Sequence, residues 1–290
     1  MSDALAFFPG FRAERVVVDD GVAIHAVIGG AGPPLLMLHG APQNCVMWRK
    51  IAPALAERFT VVCADLRGYG WSDKPAASAP EVYSKRRMGA DQVALMRALG
   101  HPKFRLAGHD RGARTARRLA KDHPEAVEKL AILDIVPTAH IYSNVSKAVA
   151  TNLWHWFFLI QPAPGPEALM GARAELFVRG ACRLAGDDSA ATDAMVATNA
   201  TPEAFHAMCG DYRAGAGIDL EHDAADAKTP LAMPTLVLWG EASPSTGALF
   251  DAPASWAGEA RDVAFASIAC GHFLPEEKPA ETLAALQAFL

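Results

Sequence analysis

Apolar positions along the first half of the chain fall into short runs separated by polar turns. "RVVVDDG" and "VAIHAVIGG" predict an opening pair of strands. "PPLLMLHG" and "FTVVCADLRG" are continuous apolar runs ending in glycine, the pattern of parallel strands buried on both faces. A helical segment, "MGADQVALMRALG", precedes the strand "KFRLAGHD"; a helix then opens at Arg111, and the strand "EKLAILDIVP" follows. Strands alternating with helices predict an α/β fold with a mostly parallel sheet and crossover helices on its faces.

That rhythm stops after Pro137. Residues 138–228 are rich in Ala, aromatics and helix formers, broken by prolines ("QPAPGPEA", "TPEAF"), with no clear strand. It resumes at "MPTLVLWGE", continues through "ARDVAFASIACGHF" and closes with the helix "PAETLAALQAFL". Two consecutive domains would fit this order, but two strands are too few for a sheet of their own. The expected organisation is therefore a core of residues 1–137 and 229–290 with residues 138–228 inserted as a helical cap.

Composition narrows the function classes. A chain of 290 residues can bury a full core, and a net charge of −5 argues against a basic nucleic-acid surface. Neither fact opposes a small anionic substrate, which responds to local charge. No apolar run approaches the roughly 18 residues of a membrane span, and "MSDALAFFPGFRAE" lacks the pattern of a signal peptide. Cys45, Cys63, Cys182, Cys209 and Cys270 are odd in number, scattered and without C-x-x-C spacing. Neither a disulfide framework nor a metal site is expected, and the cytoplasm is the expected compartment.

The chemistry concentrates at "LAGHDRGAR". Gly108-His109-Asp110-Arg111-Gly112 has the form Gly-x-nucleophile-x-Gly, between a strand and a helix, with a carboxylate where a serine usually stands. Asp110 as a plain helix cap is the bland reading. Three other features fall where a catalytic reading needs them. "LHGAPQN" follows the third strand, placing the backbone N–H of Ala41, with that of Arg111, as oxyanion donors. His272 in "ACGHF" follows the last strand as base, and Asp134 ends the strand after the elbow helix as its orienting acid. Glu241 in "LWGEASPS" is the rival acid, with Ser243 and Ser245 where an Asp would usually be sought.

A carboxylate is ionised at neutral pH and needs no base to attack a saturated carbon. The resulting ester must be hydrolysed, and there a His–Asp pair has work to do. This predicts dehalogenation or epoxide opening. Arg111 and Arg114 lie one helical turn apart, and a two-arginine fork suits a substrate carboxylate. The expected substrate is a short acid with its leaving group on the α-carbon.

With these residues the chain resembles the α/β-hydrolases of the haloacetate dehalogenase group, most nearly the fluoroacetate dehalogenases. The likeness rests on "HGAPQNCVMW", "VVCADLRGYGWSDKP", "GHDRGAR", "LAILDIVPT", "NLWHWFFLIQPAP", "CGDYRAGAGID" and "CGHF". It implies an α/β-hydrolase fold, no cofactor, a homodimer, and His155, Trp156 and Tyr212 as hydrogen-bond donors to the departing halide. The sequence departs from the family at Ala41, where an aromatic is usual. A second departure is expected at Ala185, in a region where an aromatic would narrow the pocket. An epoxide hydrolase using cap tyrosines Tyr142 and Tyr212 is the competing enzyme, and a non-catalytic ligand-binding relative the competing class.

Overall fold

The computed structural model describes residues 3–186 and 188–290. Eight strands, β1 (Arg12–Val17), β2 (Ala23–Gly29), β3 (Pro34–Leu38), β4 (Thr60–Ala64), β5 (Phe104–His109), β6 (Val127–Leu133), β7 (Thr235–Gly240) and β8 (Val263–Ile268), form one sheet. Their order is β1-β2-β4-β3-β5-β6-β7-β8, with β2 antiparallel to β1 and β4 and every other neighbour parallel. The expected mostly parallel α/β sheet is what the chain forms.

Helices α1 (Ala52–Leu55), α2 (Lys85–Ala98) and α3 (Arg111–Asp122) belong to the first half. Between β6 and β7 the described residues form a run of helices: α4 (Thr138–Ser143), α5 (Lys147–Asn152), α6 (Trp154–Leu159), α7 (Gly165–Gly171), α8 (Ala174–Leu184), α9 (Ser189–Asn199), α10 (Pro202–Ala216) and α11 (Ile218–Ala225). Then come α12 (Ala252–Ser255), α13 (Leu274–Glu277) and α14 (Pro279–Phe289).

The continuous apolar runs are explained by two-sided burial. Side chains alternate across a strand, so Leu36, Leu38, Val62 and Leu106 pack with Met88 of α2 and Ala116 of α3. Leu35, Met37, Val61, Cys63 and Ala107 pack on the opposite face with Trp48 and Leu286. Trp156 and Tyr212 of the helical segment join the first of these layers, which ties that segment to the sheet's C-terminal edge.

At that edge, β5 turns into α3 within one residue. Asp110 takes φ 49° and ψ −117°, an unfavourable backbone for a side chain larger than glycine. The turn closes because its neighbours have no Cβ. A Cβ on Gly112 would stand 2.4 Å from the carbonyl oxygens of Leu38 and His39, and one on Gly108 would stand 2.6 Å from Gly112 O. Helix and sheet therefore approach closely enough to hold Asp110 against the loop after β3. All five cysteines are free and buried. Among the described residues, no helix is long and apolar enough to cross a membrane.

Candidate active site

Asp110 is 6% exposed and held from several sides. The Ala41 N–H donates to its Oδ1 at 3.0 Å, while Oδ2 lies 3.8 Å from His272 Nε2, beyond hydrogen-bond reach. The Arg111 N–H is the first of α3 and has no preceding turn to bond to. Burial alone would raise the Asp110 carboxyl, but His272, His109, Arg114 and Arg111 outweigh it and hold it at about 2. Asp110 is an anion at neutral pH, with one oxygen tied down and the other without a hydrogen-bond partner.

His272 follows β8, and its Nδ1 lies 2.5 Å from Asp134 Oδ2. Asp134 is fully buried, in a positive-φ conformation (55°) at the end of β6. It accepts the Gly240 N–H on Oδ1 at 2.9 Å and the Ser243 hydroxyl on Oδ2. An acid so surrounded by donors is an acceptor, so Nδ1 of His272 carries the proton and Nε2 turns its lone pair toward Asp110. Glu241, the rival acid, instead accepts a hydrogen bond from Ser267 Oγ on the exposed side of the sheet.

Sequence reasoning passed over three supports. Ser243, noted only as standing where an Asp was sought, completes the acceptor shell of Asp134. Glu277 brackets the histidine, accepting the Gly271 and Phe273 N–H groups, each at 2.7 Å. His109 donates Nε2–H to the His272 carbonyl at 2.8 Å, and burial drives its imidazole down to about 4, so it stays neutral. A Glu five residues after His272 was legible as spacing; the role of His109 was not.

Both arginines are buried, and the Trp156 ring lies under both, 4.6 Å from the Arg114 guanidinium and 5.8 Å from that of Arg111. Arg114 donates Nη1 to Val136 O and Thr138 Oγ1, while its Nε and Nη2 have no protein partner. Burial lowers it to about 10 despite the pull of Asp110. Arg111 is different: it makes a bidentate pair with Asp211, a residue the sequence reading did not single out.

His155, Trp156 and Tyr212 come together as an edge-to-face cluster, with Tyr212 5.8 Å from His155 and 5.9 Å from Trp156. Burial pushes His155 down to about 4 and Tyr212 well above its ordinary value, and the charge of Asp110 acts on both. His155 and Tyr212 are thus neutral groups within reach of the Asp110 charge, with the Trp156 ring packed against Tyr212. Tyr142 sits 5.8 Å from the Trp156 ring. Ala185 lines a small crevice with Arg49, Cys182 and Glu276, a lining that does not include Asp110. The expected widening at Ala185 therefore concerns that crevice, because α8 ends there. Among the described residues, His25, Cys45 and Asp65 could bring ligand atoms within 4.8 Å of one another for a metal ion. The Asp65 carboxylate there already accepts His25 Nδ1 and the Cys45 and Trp71 N–H groups.

A carboxylate at the strand–helix elbow, a histidine after the last strand paired with an acid after β6, and an N–H donor after β3 are arranged as in an α/β-hydrolase site. The alpha/beta hydrolase fold family matches residues 33–279, and the chain belongs to that family. It is 45% identical to a fluoroacetate dehalogenase of Burkholderia sp, over 98% of this chain and 95% of that protein. It is 33% identical to a soluble epoxide hydrolase of Corynebacterium sp., over 90% of this chain and 91% of that protein. Among solved structures, ALR0039 from Nostoc sp PCC 7120 matches at 47% identity and TM-score 0.92, covering 98% of each chain. The epoxide hydrolase CorEH matches at 31% identity and TM-score 0.85, covering 96% of this chain and 98% of that one.

Proposed function

We propose that the protein hydrolyses short 2-haloacids, fluoroacetate among them, to the 2-hydroxyacid and halide. The observation that carries this reading is an ionised elbow carboxylate beside Arg114, a buried guanidinium whose Nε and Nη2 have no protein partner. Buried donors without partners are rare and costly, and a carboxylate offers two oxygens at the matching spacing. The resemblance to the Burkholderia fluoroacetate dehalogenase supports the same substrate class.

The steps follow from the atoms. Asp110 Oδ2, free of hydrogen bonds, attacks the α-carbon; the carbon–halogen bond breaks and halide leaves with its electron pair. Holding the reactants in line contributes on the order of 7–11 kcal/mol. Oδ1 becomes the ester carbonyl oxygen, already on the Ala41 N–H, with the Arg111 N–H as second oxyanion donor; one such donor is worth about 2.7–4 kcal/mol. Water then attacks the carbonyl carbon and passes its proton to His272 Nε2. The intermediate collapses, and that proton goes to the departing hydroxyacid oxygen.

Electrostatics favour this order. Burial opposes a charged His272, but Asp134 and Asp110 together raise it. When Asp110 becomes an ester its charge disappears, the support for imidazolium weakens, and a larger share of His272 is neutral, with Nε2 open, in the step that needs a base.

In this reading residues 138–228 form a cap domain over the 1–137 and 229–290 core, supplying His155, Trp156 and Tyr212 to solvate the halide. His155→Ala, Trp156→Phe and Tyr212→Phe are expected to slow fluoroacetate more than bromoacetate, because fluoride concentrates its charge and depends most on donors. Equal losses for both substrates in every variant would make the cluster a packing group. The family reading also carries a homodimer, which light scattering checks.

Halide release from fluoro-, chloro- and bromoacetate, beside a neutral haloalkane and an epoxide, tests the function. Turnover of the acids alone is the expected result. The epoxide reading is favoured by one feature, the placement of Tyr142 and Tyr212 around Trp156, and turnover of the epoxide in preference to the acids would establish it.

A further inference from the structure

Arg111 is held by one helix. Its Nε donates to Asp211 Oδ2 at 2.8 Å, and its Nη2 donates to Asp211 Oδ1 at 2.6 Å and to the Asp211 carbonyl at 2.8 Å. The guanidinium lies 4.3 Å above the Tyr212 ring. One turn on is Gly215, where a Cβ would stand 3.2 Å from Nη2 and 3.4 Å from Nη1. Positions 211, 212 and 215 of α10 thus form a seat that uses Nε and Nη2 and leaves Nη1 as the nitrogen without a protein partner.

Such a seat raises an electrostatic difficulty. A bidentate Arg–Asp pair is neutral overall, and a neutral pair is a poor anchor for an anion. Asp211, however, is shared. The Tyr69 hydroxyl donates to its Oδ2 at 2.7 Å, and the Lys85 ammonium, from the first residue of α2, pairs with its Oδ1. Lys85 is 4% exposed, and its ammonium is 4.0 Å from Asp219, the other acid against it. Four ionisable groups therefore lie behind the proposed substrate carboxylate: Arg111 and Lys85 against Asp211 and Asp219. Their charges sum to zero with Lys85 and to one net negative charge without it, and the substrate feels that sum.

We propose that Lys85 and Asp211 are specificity-determining positioning residues for the anionic end of the substrate: Asp211 fixes the Arg111 guanidinium, and Lys85 keeps the charge behind the substrate carboxylate from becoming net negative. This rests on the reading of Arg111 as a carboxylate anchor. It also explains a buried lysine that a purely structural junction of α2, α3 and α10 would not need, since an apolar side chain of similar volume serves such a junction as well or better.

Charge arithmetic supplies the test. Lys85→Met lowers the charge sum by one, Asp211→Asn raises it by one, and the double variant restores the wild-type sum. The probe is acetate, an unreactive carboxylate, its binding followed by ligand-observed NMR, so that the readout does not depend on turnover. Acetate is expected to bind Lys85→Met about 10- to 30-fold more weakly than wild type, the effect of one buried unit charge at close range. Lys85→Arg should bind acetate within about threefold of wild type, and Lys85→Met/Asp211→Asn should recover most of what Lys85→Met lost. Lys85→Gln, which can still hydrogen-bond Asp211, takes the place of the methionine variant if that one does not fold. Unchanged acetate binding in the neutral variants would overturn the proposal. So would a double variant no better than Lys85→Met, because geometry and not charge would then be at stake. If wild type binds acetate but releases no halide from any haloacetate, the proposed reaction fails while the charge assignment still stands or falls on the variants.

Discussion

Replacing His272 by Asn is expected to leave the first chemical step running and stop the second. Asp110 is already ionised by its surroundings, so carbon attack requires nothing from the histidine. The variant should release about one halide per active site and then stall as an ester on Asp110, the burst that marks a covalent intermediate. Mass spectrometry of the stalled protein should find the Asp110 peptide heavier by the substrate's carboxymethyl group. A single turnover of wild type in ¹⁸O-water adds an independent check. Asp110 Oδ2 leaves as the product hydroxyl oxygen and water replaces it, so label should enter the Asp110 carboxylate and the first product should be unlabelled. Label in the first product, with no adduct in the variant, would mean that water attacks carbon directly and that Asp110 is a base.

The fold was legible because each buried parallel strand is apolar on both faces, and Leu35–Leu38 and Val61–Ala64 show that without interruption. Asp110, Asp134 and His272 were legible for a related reason: in a parallel sheet, the C-terminal ends of successive strands converge on one edge. What escaped the sequence has no such rule behind it. Asp211 and Lys85 meet across 126 residues because α10 packs beside the start of α2. Local spacing cannot report a contact made by two helices in different parts of the chain. The arginines show the limit from the other side. Their spacing placed both beside Trp156, as a shared helix face should, but could not tell that Asp211 takes two of the Arg111 nitrogens while Arg114 keeps Nε and Nη2 free. Ser243 lies between: it stood where an acid was sought, and its hydroxyl serves the acid contributed by β6 instead.

That arrangement makes Asp134→Asn the sharpest test of the proposed base. In wild type, Asp134 Oδ2 accepts the His272 Nδ1 proton while Oδ1 accepts the Gly240 N–H. An Asn side chain has one acceptor oxygen, and the Gly240 N–H competes for it. The amide nitrogen is then left facing Nδ1, where it donates and forces the proton onto Nε2. Nε2 is the atom that must take a proton from water, so this tautomer cannot act as base. Removing the acid also removes the largest of the influences that raise His272, making the remaining imidazole a weaker base as well. The equivalent change in a serine protease triad costs about 10⁴ in kcat, and a loss of that order is expected here in ester hydrolysis alone. The halide burst should persist at close to the wild-type rate, and the Asp110 ester should accumulate. Glu241→Gln should change neither step, since Glu241 bonds to Ser267 and not to the histidine. A large loss in Glu241→Gln, with Asp134→Asn turning over normally, would transfer the role of orienting acid from β6 to the strand that follows it.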